Sequence, residues 1–261
     1  MLSHVGVGTN DLQKAKKFYD AVLAVIGSDE GVVETVQSGH KRLVYSDGKD
    51  LFLVSEPING QPATVGNGVT IGFLCRSEEE VVKFHDVAVA NGGVSIEDPP
   101  GLRAHKLLLT IYTFKGTAEE EGHLPSNKKI KSMLYFNVNV GTNDIKRAKA
   151  FYDAVLGSIG IGEGELVVND SGHQKVFYRK DGEVFIVCKP INGEPANVGN
   201  GSTVGFRCGS PEEVDKFHAA VVAQGGVNIE DPVGPRGERR YTGYFRDLDG
   251  NKIAAQYVKD D

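Results

Sequence analysis

Residues 8–23 read GTNDLQKAKKFYDAVL, and residues 141–156 read GTNDIKRAKAFYDAVL. They are one text displaced by 133 residues, and the displacement holds without a gap from about residue 4 to residue 100, with more than half of the positions identical. A shift this large marks a duplicated domain rather than a short solenoid repeat. Within the stretch, Thr9, Asn10 and Asp11 offer N-cap oxygens, while Leu12, Ala15, Tyr19, Val22, Leu23 and Ile26 recur at helical spacing up to a stop at Gly27. The alternation of His4 to Gly8 just before it predicts a strand carrying His4 on one face.

Outward from this helix the pattern is regular. Three strands are expected around Val32–Val36, Lys41–Tyr45 and Leu51–Val54, the last two joined by a turn at Ser46-Asp47-Gly48. The Pro-, Gly- and Asn-rich segment PINGQPATVGN, residues 57–67, reads as a connection. The order then restarts with a strand at Val69–Cys75 and the S-x-x-E spacing of a capping box at Ser77–Glu80, copied at Ser210–Glu213. The following helix runs through Val81, Phe84, His85 and Val89 to Gly92-Gly93, and a strand is expected from Val94. Each half thus reads as two βαβββ modules. The expectation is an α+β chain with domains at residues 1–130 and 131–261, the strands of paired modules curling into an incomplete barrel around a cleft.

The halves part after Pro99. Residues 234–258 continue as loop, strand, an Asp249-Gly250 turn and a closing strand. In the first half Leu107–Phe114 reads as a strand, but the turn motif is missing, and residues 116–131, with an acidic run at Glu119–Glu121, read as a linker. The last strand of the first half is expected to be eroded.

Composition excludes several classes. The 261 residues carry a formal net charge of −6 with no long basic run, which argues against a nucleic-acid partner. No apolar run approaches the ~20 residues that span a bilayer, so no membrane partner is expected. The three cysteines form no CxxC pair, and MLSHVGVGTND lacks the basic and apolar regions of a secretory signal, so the expected location is a reducing cytoplasm. No Ser/His/Asp or Cys/His arrangement and no phosphate-cradling glycine loop is present.

Three motifs carry a resemblance: G-T-N-D-x-x-x-A-x-x-F-Y-D-A-V-L after a strand, F-H-x-x-x-V-A-x-G-G in the next helix, and F-R-D-L-D-G-N-K-I near the end. Together they resemble the vicinal oxygen chelate superfamily of glyoxalase I, bleomycin-resistance proteins and extradiol dioxygenases. The resemblance implies an eight-stranded, cleft-forming domain per half. In metal-dependent members, His and Glu from the first and fourth strands of each module hold a divalent ion with open positions. Carried onto this chain, the first-strand positions are His4 and Thr70 in the first half and Asn137 and Thr203 in the second. The fourth-strand positions fall within Leu51–Val54 and Val184–Val187, and Ala254 stands where Glu is usual.

His4 is therefore the one metal-ligand candidate, a divalent ion is the cofactor the resemblance implies, and the metal site is expected to be degenerate. The expected ligand is a small oxygen-rich molecule. As an enzyme the chain would be a glyoxalase-like lyase or a dioxygenase-like member; the alternative is a metal-free binding or sequestering protein of the bleomycin-resistance type, since the fold alone selects no reaction. Substrate-binding candidates are Arg236, Tyr241 and Tyr244 on a loop at the cleft mouth, where arginines can hold anionic oxygens, together with His173, Thr70, Thr203 and Asn137. His85 and His218 read as helix residues, His40 as a turn residue, and His105 has no counterpart in the second half. The two halves are expected to pair within the chain, with a homo-oligomer as a further expectation.

Overall fold

The computed structural model describes residues 1–36, 38–96, 100 and 135–259. The expected strand at Leu107–Phe114, the linker at 116–131 and His105 lie outside the described residues. The first half contains β1 (Leu2–Gly8), α1 (Leu12–Leu23) with a 3-10 turn at Ala24–Ile26, β2 (Val32–Thr35), β3 (Lys41–Ser46), β4 (Leu51–Ser55), β5 (Thr70–Phe73) and α2 (Glu78–Ala90). The second contains β6 (Tyr135–Gly141), α3 (Ile145–Gly157), β7 (Glu165–Val168), β8 (Gln174–Lys180), β9 (Glu183–Cys188), β10 (Thr203–Arg207), α4 (Pro211–Ala223), β11 (Val227–Arg236), β12 (Arg240–Arg246) and β13 (Lys252–Val258). Residues 94–96 are irregular, so the strand expected from Val94 does not begin there.

The helices start where their side chains can satisfy free amides. Asp11 and Asp144 accept from the main chain of Lys14 at 2.9 Å and Arg147 at 3.1 Å. The capping boxes close reciprocally: Ser77 and Ser210 accept from Glu80 N and Glu213 N, and those glutamates accept from Arg76 N and Gly209 N. Gly27 ends the first helical segment at φ 82°, a left-handed stop that glycine adopts without strain.

Among the described residues the strands form two sheets, of order β11-β12-β13-β10-β1-β4-β3-β2 and β5-β6-β9-β8-β7. This corrects the expectation that one half supplies both modules of a cleft. The first module of the first half pairs with the last module of the second half, β1 running antiparallel to β10, and β5 pairs with β6. A single apolar core joins the sheets through an aromatic chain in each half. Tyr19, Phe52, Phe73 and Phe84 follow one another at centroid separations of 5.0, 5.1 and 5.8 Å. Tyr152, Phe185, Phe206 and Phe217 repeat those spacings, and Phe245 extends the chain at 5.7 Å. Each link from β4 to β5 or from β9 to β10 passes from one sheet to the other.

The exchange of modules happens where the two connections, residues 56–69 and 189–202, cross. Asn200 donates to the carbonyls of Pro62 at 2.9 Å and Gln61 at 3.2 Å, and its own amide donates to Thr64 Oγ1 at 2.9 Å. Asn67 mirrors it, donating to Pro195 O at 3.0 Å and Asn192 Oδ1 at 3.2 Å while its amide donates to Asn197 Oδ1 at 3.0 Å. The backbones touch only because side chains are missing. A Cβ on Gly8 would stand 2.3 Å from Asn200 O, and one on Gly201 would stand 2.4 Å from Gly8 Cα. Glu183, fully buried, adds a tie between halves by accepting from Leu2 N at 2.7 Å and Lys49 Nζ at 3.0 Å. Among the described residues no helix is long and apolar enough to cross a membrane.

Gly8→Ala drives a methyl into main chain that has nowhere to go, so it should cost about 2 kcal/mol or more in urea unfolding. Gly157→Ala, with nothing within 4 Å of the added Cβ at the end of α3, should be neutral or stabilising by up to ~1 kcal/mol.

Candidate functional site

The face of the eight-stranded sheet turned away from the core is fixed by strand alternation. On β13, Ile253 and Ala255 enter the core, so Lys252, Ala254 and Gln256 face outward; on β4, Phe52 and Val54 enter it, so Leu51 and Leu53 face outward. The register places Lys252 of β13, Thr203 of β10, Gly6 of β1 and Leu53 of β4 in one row, because Thr203 pairs with Gly6 and Gly6 with Leu53. Ala254, Gly205, His4 and Leu51 form the next row. A cleft of about 780 Å³ opens over the first row and His4, bounded also by His40, Arg42, Ser55, Glu230, Tyr244 and Arg246.

His4 lies flat over Gly205. A Cβ at Gly205 would come within 2.3 Å of the imidazole, so the glycine leaves the room the ring occupies. Ser3 Oγ sits 3.0 Å from Nδ1, and the Gln256 side chain stands beside the ring. Burial lowers the His4 pKa to about 4, helped by the positive charges of Lys252, Arg42 and Arg240 and opposed by the Gln256 side chain. The ring is 5 % exposed and neutral at physiological pH.

A metal needs lone pairs at the first- and fourth-strand positions. On this face those positions hold His4, whose ring already has a hydrogen-bond partner, the hydroxyl of Thr203, the methyl of Ala254 and the hydrocarbon of Leu51 and Leu53. One engaged imidazole and one hydroxyl do not make a site for a divalent transition ion. Among the described residues, no three His, Cys, Asp or Glu side chains come together to hold one.

The remaining candidates divide between two places. Thr203 and Tyr244 join His4 at the cleft, the Tyr244 hydroxyl pKa raised mainly by burial. Thr70 and Asn137 lie instead on neighbouring strands of the five-stranded sheet, where Asn137 Nδ2 donates to Asn139 Oδ1 at 3.0 Å. Thr70 and His173 line a separate cleft of about 690 Å³, with the His173 ring against the Lys189 carbonyl. Beside it Phe177, Val184, Ile186 and Cys188 form a small apolar cluster on that sheet.

The stretch Gly234–Tyr244, expected as a loop, is the end of β11, a turn at Gly237 and most of β12, because Pro235 and Tyr241 pair across a tight hairpin. Tyr241 points to the helix side and donates to Asp215 of α4 at 3.0 Å. Arg236 turns back on its own strand, donating to Pro232 O at 2.9 Å and Pro235 O at 3.1 Å. The D-L-D-G-N turn serves the fold. Asp247 accepts from Tyr152 Oη at 2.7 Å and Asn251 N at 2.7 Å, Asp249 accepts from Thr142 Oγ1 and Asn143 N, and Asn251 donates to Gly141 O. That turn clasps the second G-T-N loop. Sequence reading passed over Lys252, Gln256 and Glu230. Alternation along Lys252-Ile253-Ala254-Ala255-Gln256 carries the first two onto the face of Ala254, whereas nothing local marks Glu230.

Paired βαβββ modules around an open concave cleft define the class of protein. The family model described as Glyoxalase/Bleomycin resistance protein/Dioxygenase superfamily matches residues 1–123 and 135–255, and the chain belongs to that superfamily. Among solved structures, glyoxalase I from Zea mays is similar at 15 % identity and a TM-score of 0.69, over 99 % of this chain and 92 % of that one. A glyoxalase/bleomycin resistance protein from Albidiferax ferrireducens T118 is 50 % identical over 47 % of this chain and 96 % of its own, with a TM-score of 0.43. Lactoylglutathione lyase from Agrobacterium tumefaciens is 20 % identical over 50 % of this chain and 96 % of that one, at a TM-score of 0.35. No curated protein matches the sequence.

The depressed His4 pKa has a stability consequence. The unfolded chain takes up the proton near pH 6.5 and the folded chain only near 4, so stability present above 6.5 is lost as pH falls through that window. The slope from this group should reach ~1.4 kcal/mol per pH unit in urea unfolding, and His4→Gln should remove it.

Proposed function

We propose that this chain binds a small oxygen-rich molecule in the cleft of the eight-stranded sheet without a resident metal ion, and that any chemistry it performs there relies on its own side chains. The observation that carries this reading is the replacement of carboxylate donors around an intact cleft. Leu53 lines it, and Leu51 and Ala254 lie beneath it on the same sheet face, at positions where metal-dependent relatives need oxygen, while Thr203, Ser55 and Tyr244 keep it lined with hydroxyl groups. A cleft of about 780 Å³ lies within the ~300–1,000 Å³ range of small-molecule sites, and its mixed apolar and polar lining suits such a ligand. The three cysteines, all buried and unpaired with one another, support a reducing cytoplasmic setting.

The chain's own residues can position a ligand in three ways. Thr203 and Ser55 can accept or donate to ligand hydroxyls or carbonyls. His4, neutral and held by Ser3 and Gln256, fixes the polar floor without contributing charge. Tyr244 offers an aromatic edge.

The reading is tested by metal analysis of protein purified without chelator, with binding of small hydroxy-acids and diols followed by ligand-observed NMR before and after passage over a chelating resin. Binding that metal stripping leaves unchanged, with no stoichiometric divalent ion, is the expected outcome. A bound ion at about one per chain whose removal abolishes binding would overturn it.

A further inference from the structure

We infer that the ligand of this cleft is an anion, recognised through the ammonium group of Lys252 in the position beside the one a metal would occupy; the inference rests on the binding role proposed above for the same cleft. Lys252 stands one outward-facing place before Ala254 on β13 and in the same row as Thr203, Gly6 and Leu53. Its side chain is 17 % exposed, its Nζ lies 4.6 Å from the Tyr244 ring centroid, and it pairs with Glu230. The ring face and the carboxylate together hold the ammonium at the cleft. Of its three N–H donors one meets Glu230, which leaves the group able to donate to a second acceptor.

Glu230 reaches Lys252 through a local distortion. It is one of two described non-glycine residues with positive φ, at 61°, and it sits where the β11–β12 register shifts between Ile229 and Gly234. The other, Asp181 at 55°, lies in the tight turn between β8 and β9, where such a conformation is ordinary. A left-handed glutamate in a bulged strand is strained, and strain of that kind concentrates at ligand sites. A partly buried ion pair is also a poor device for stability alone, since an apolar pair of similar size holds a sheet as well.

The surroundings agree. The charges that act on His4 from across the face are those of Lys252, Arg42 and Arg240, all positive. Arg42 is held by Glu34, with Nε and Nη2 donating to one oxygen at 3.0 and 2.7 Å. Arg246 gives Nη1 to Gly250 O at 2.8 Å. Lys252 is the lining cation that stands in the row of Thr203, Gly6 and Leu53 on the floor of the cleft, and a ligand carboxylate can replace its counter-charge. A carboxylate there would displace or share Glu230, with its remaining oxygens facing the Thr203 hydroxyl. The ligand class is a small carboxylic acid bearing a further hydroxyl or carbonyl oxygen.

The test uses the full chain stripped of metal on a chelating resin, with lactate, malate and oxalate as probes, each beside its neutral amide, titrated by ligand-observed NMR. Carboxylates should bind and amides should bind at least about tenfold more weakly, with Lys252→Met weakening carboxylate binding by about ten- to hundredfold. Glu230→Gln should tighten it, because the ligand no longer competes with a resident carboxylate. If Lys252→Met fails to fold by circular dichroism, the Glu230→Gln result decides. Absence of carboxylate binding, equal binding of acids and amides, or weaker binding in Glu230→Gln would overturn the inference. Amides or diols that bind the metal-stripped chain regardless of Lys252 would overturn the charge assignment alone and leave the metal-free cleft standing, whereas binding lost on stripping metal over a chelating resin and restored by a divalent ion would remove that underlying reading as well.

Discussion

The architecture depends on a place where two backbones cross with no side chains between them. At Gly8 and Gly201, and again at Gly68 and Gly141, main chain from one half lies against main chain from the other at distances that a single Cβ would forbid. Asn67 and Asn200 then bracket the opposite connection with amide donors. Because the connections cross, β5 leaves the sheet of β4 and β10 leaves the sheet of β9. Each sheet, and each cleft, is consequently made from both copies of the duplicated text.

The duplication has let the two clefts drift apart in chemistry. Where the eight-stranded sheet presents His4, Arg42 and Leu53, the five-stranded sheet presents Asn137, Lys175 and Ile186 at the equivalent places. The first is a charged surface with a buried neutral imidazole, the second an amide pair beside an apolar cluster. A single chain containing both modules of each pair permits this, because no symmetry forces the clefts to stay alike.

Much of the fold was legible in the residues. The repeat, the helix caps, the strand alternation and the glycine- and asparagine-rich connections follow from local chemistry and stand at or within a residue or two of the expected positions, apart from the irregular residues 94–96 and the hairpin at Gly234–Tyr244. The pairing of modules was not legible. PINGQPATVGN announces a connection, yet nothing in its composition says whether the chain returns to the same sheet or crosses to the other. The grouping of His4 with Thr70 failed for that reason, and Thr203 takes the place opposite Gly6. Arg236 and Tyr241 drew attention as charged and aromatic residues, but pairing in the β11–β12 hairpin and alternation along β12 commit them elsewhere. Lys252 went unnoticed because the turn motif before it suggested a role in the fold, which Asp247 and Asn251 do fill.

The cleft is shared between the halves, with β1 beside β10. An ideal Cβ at Gly6 lies 3.7 Å from Thr203 Cβ, close to the ~3.8 Å mean of natural disulfides. Mass spectrometry of the oxidised Gly6→Cys/Thr203→Cys variant measures this directly, with Gly6→Cys/Thr70→Cys as the same-half comparison. An intramolecular cross-link is expected in the first variant and none in the second. A cross-link only in the second would show that each half closes on itself and that β1 does not pair with β10.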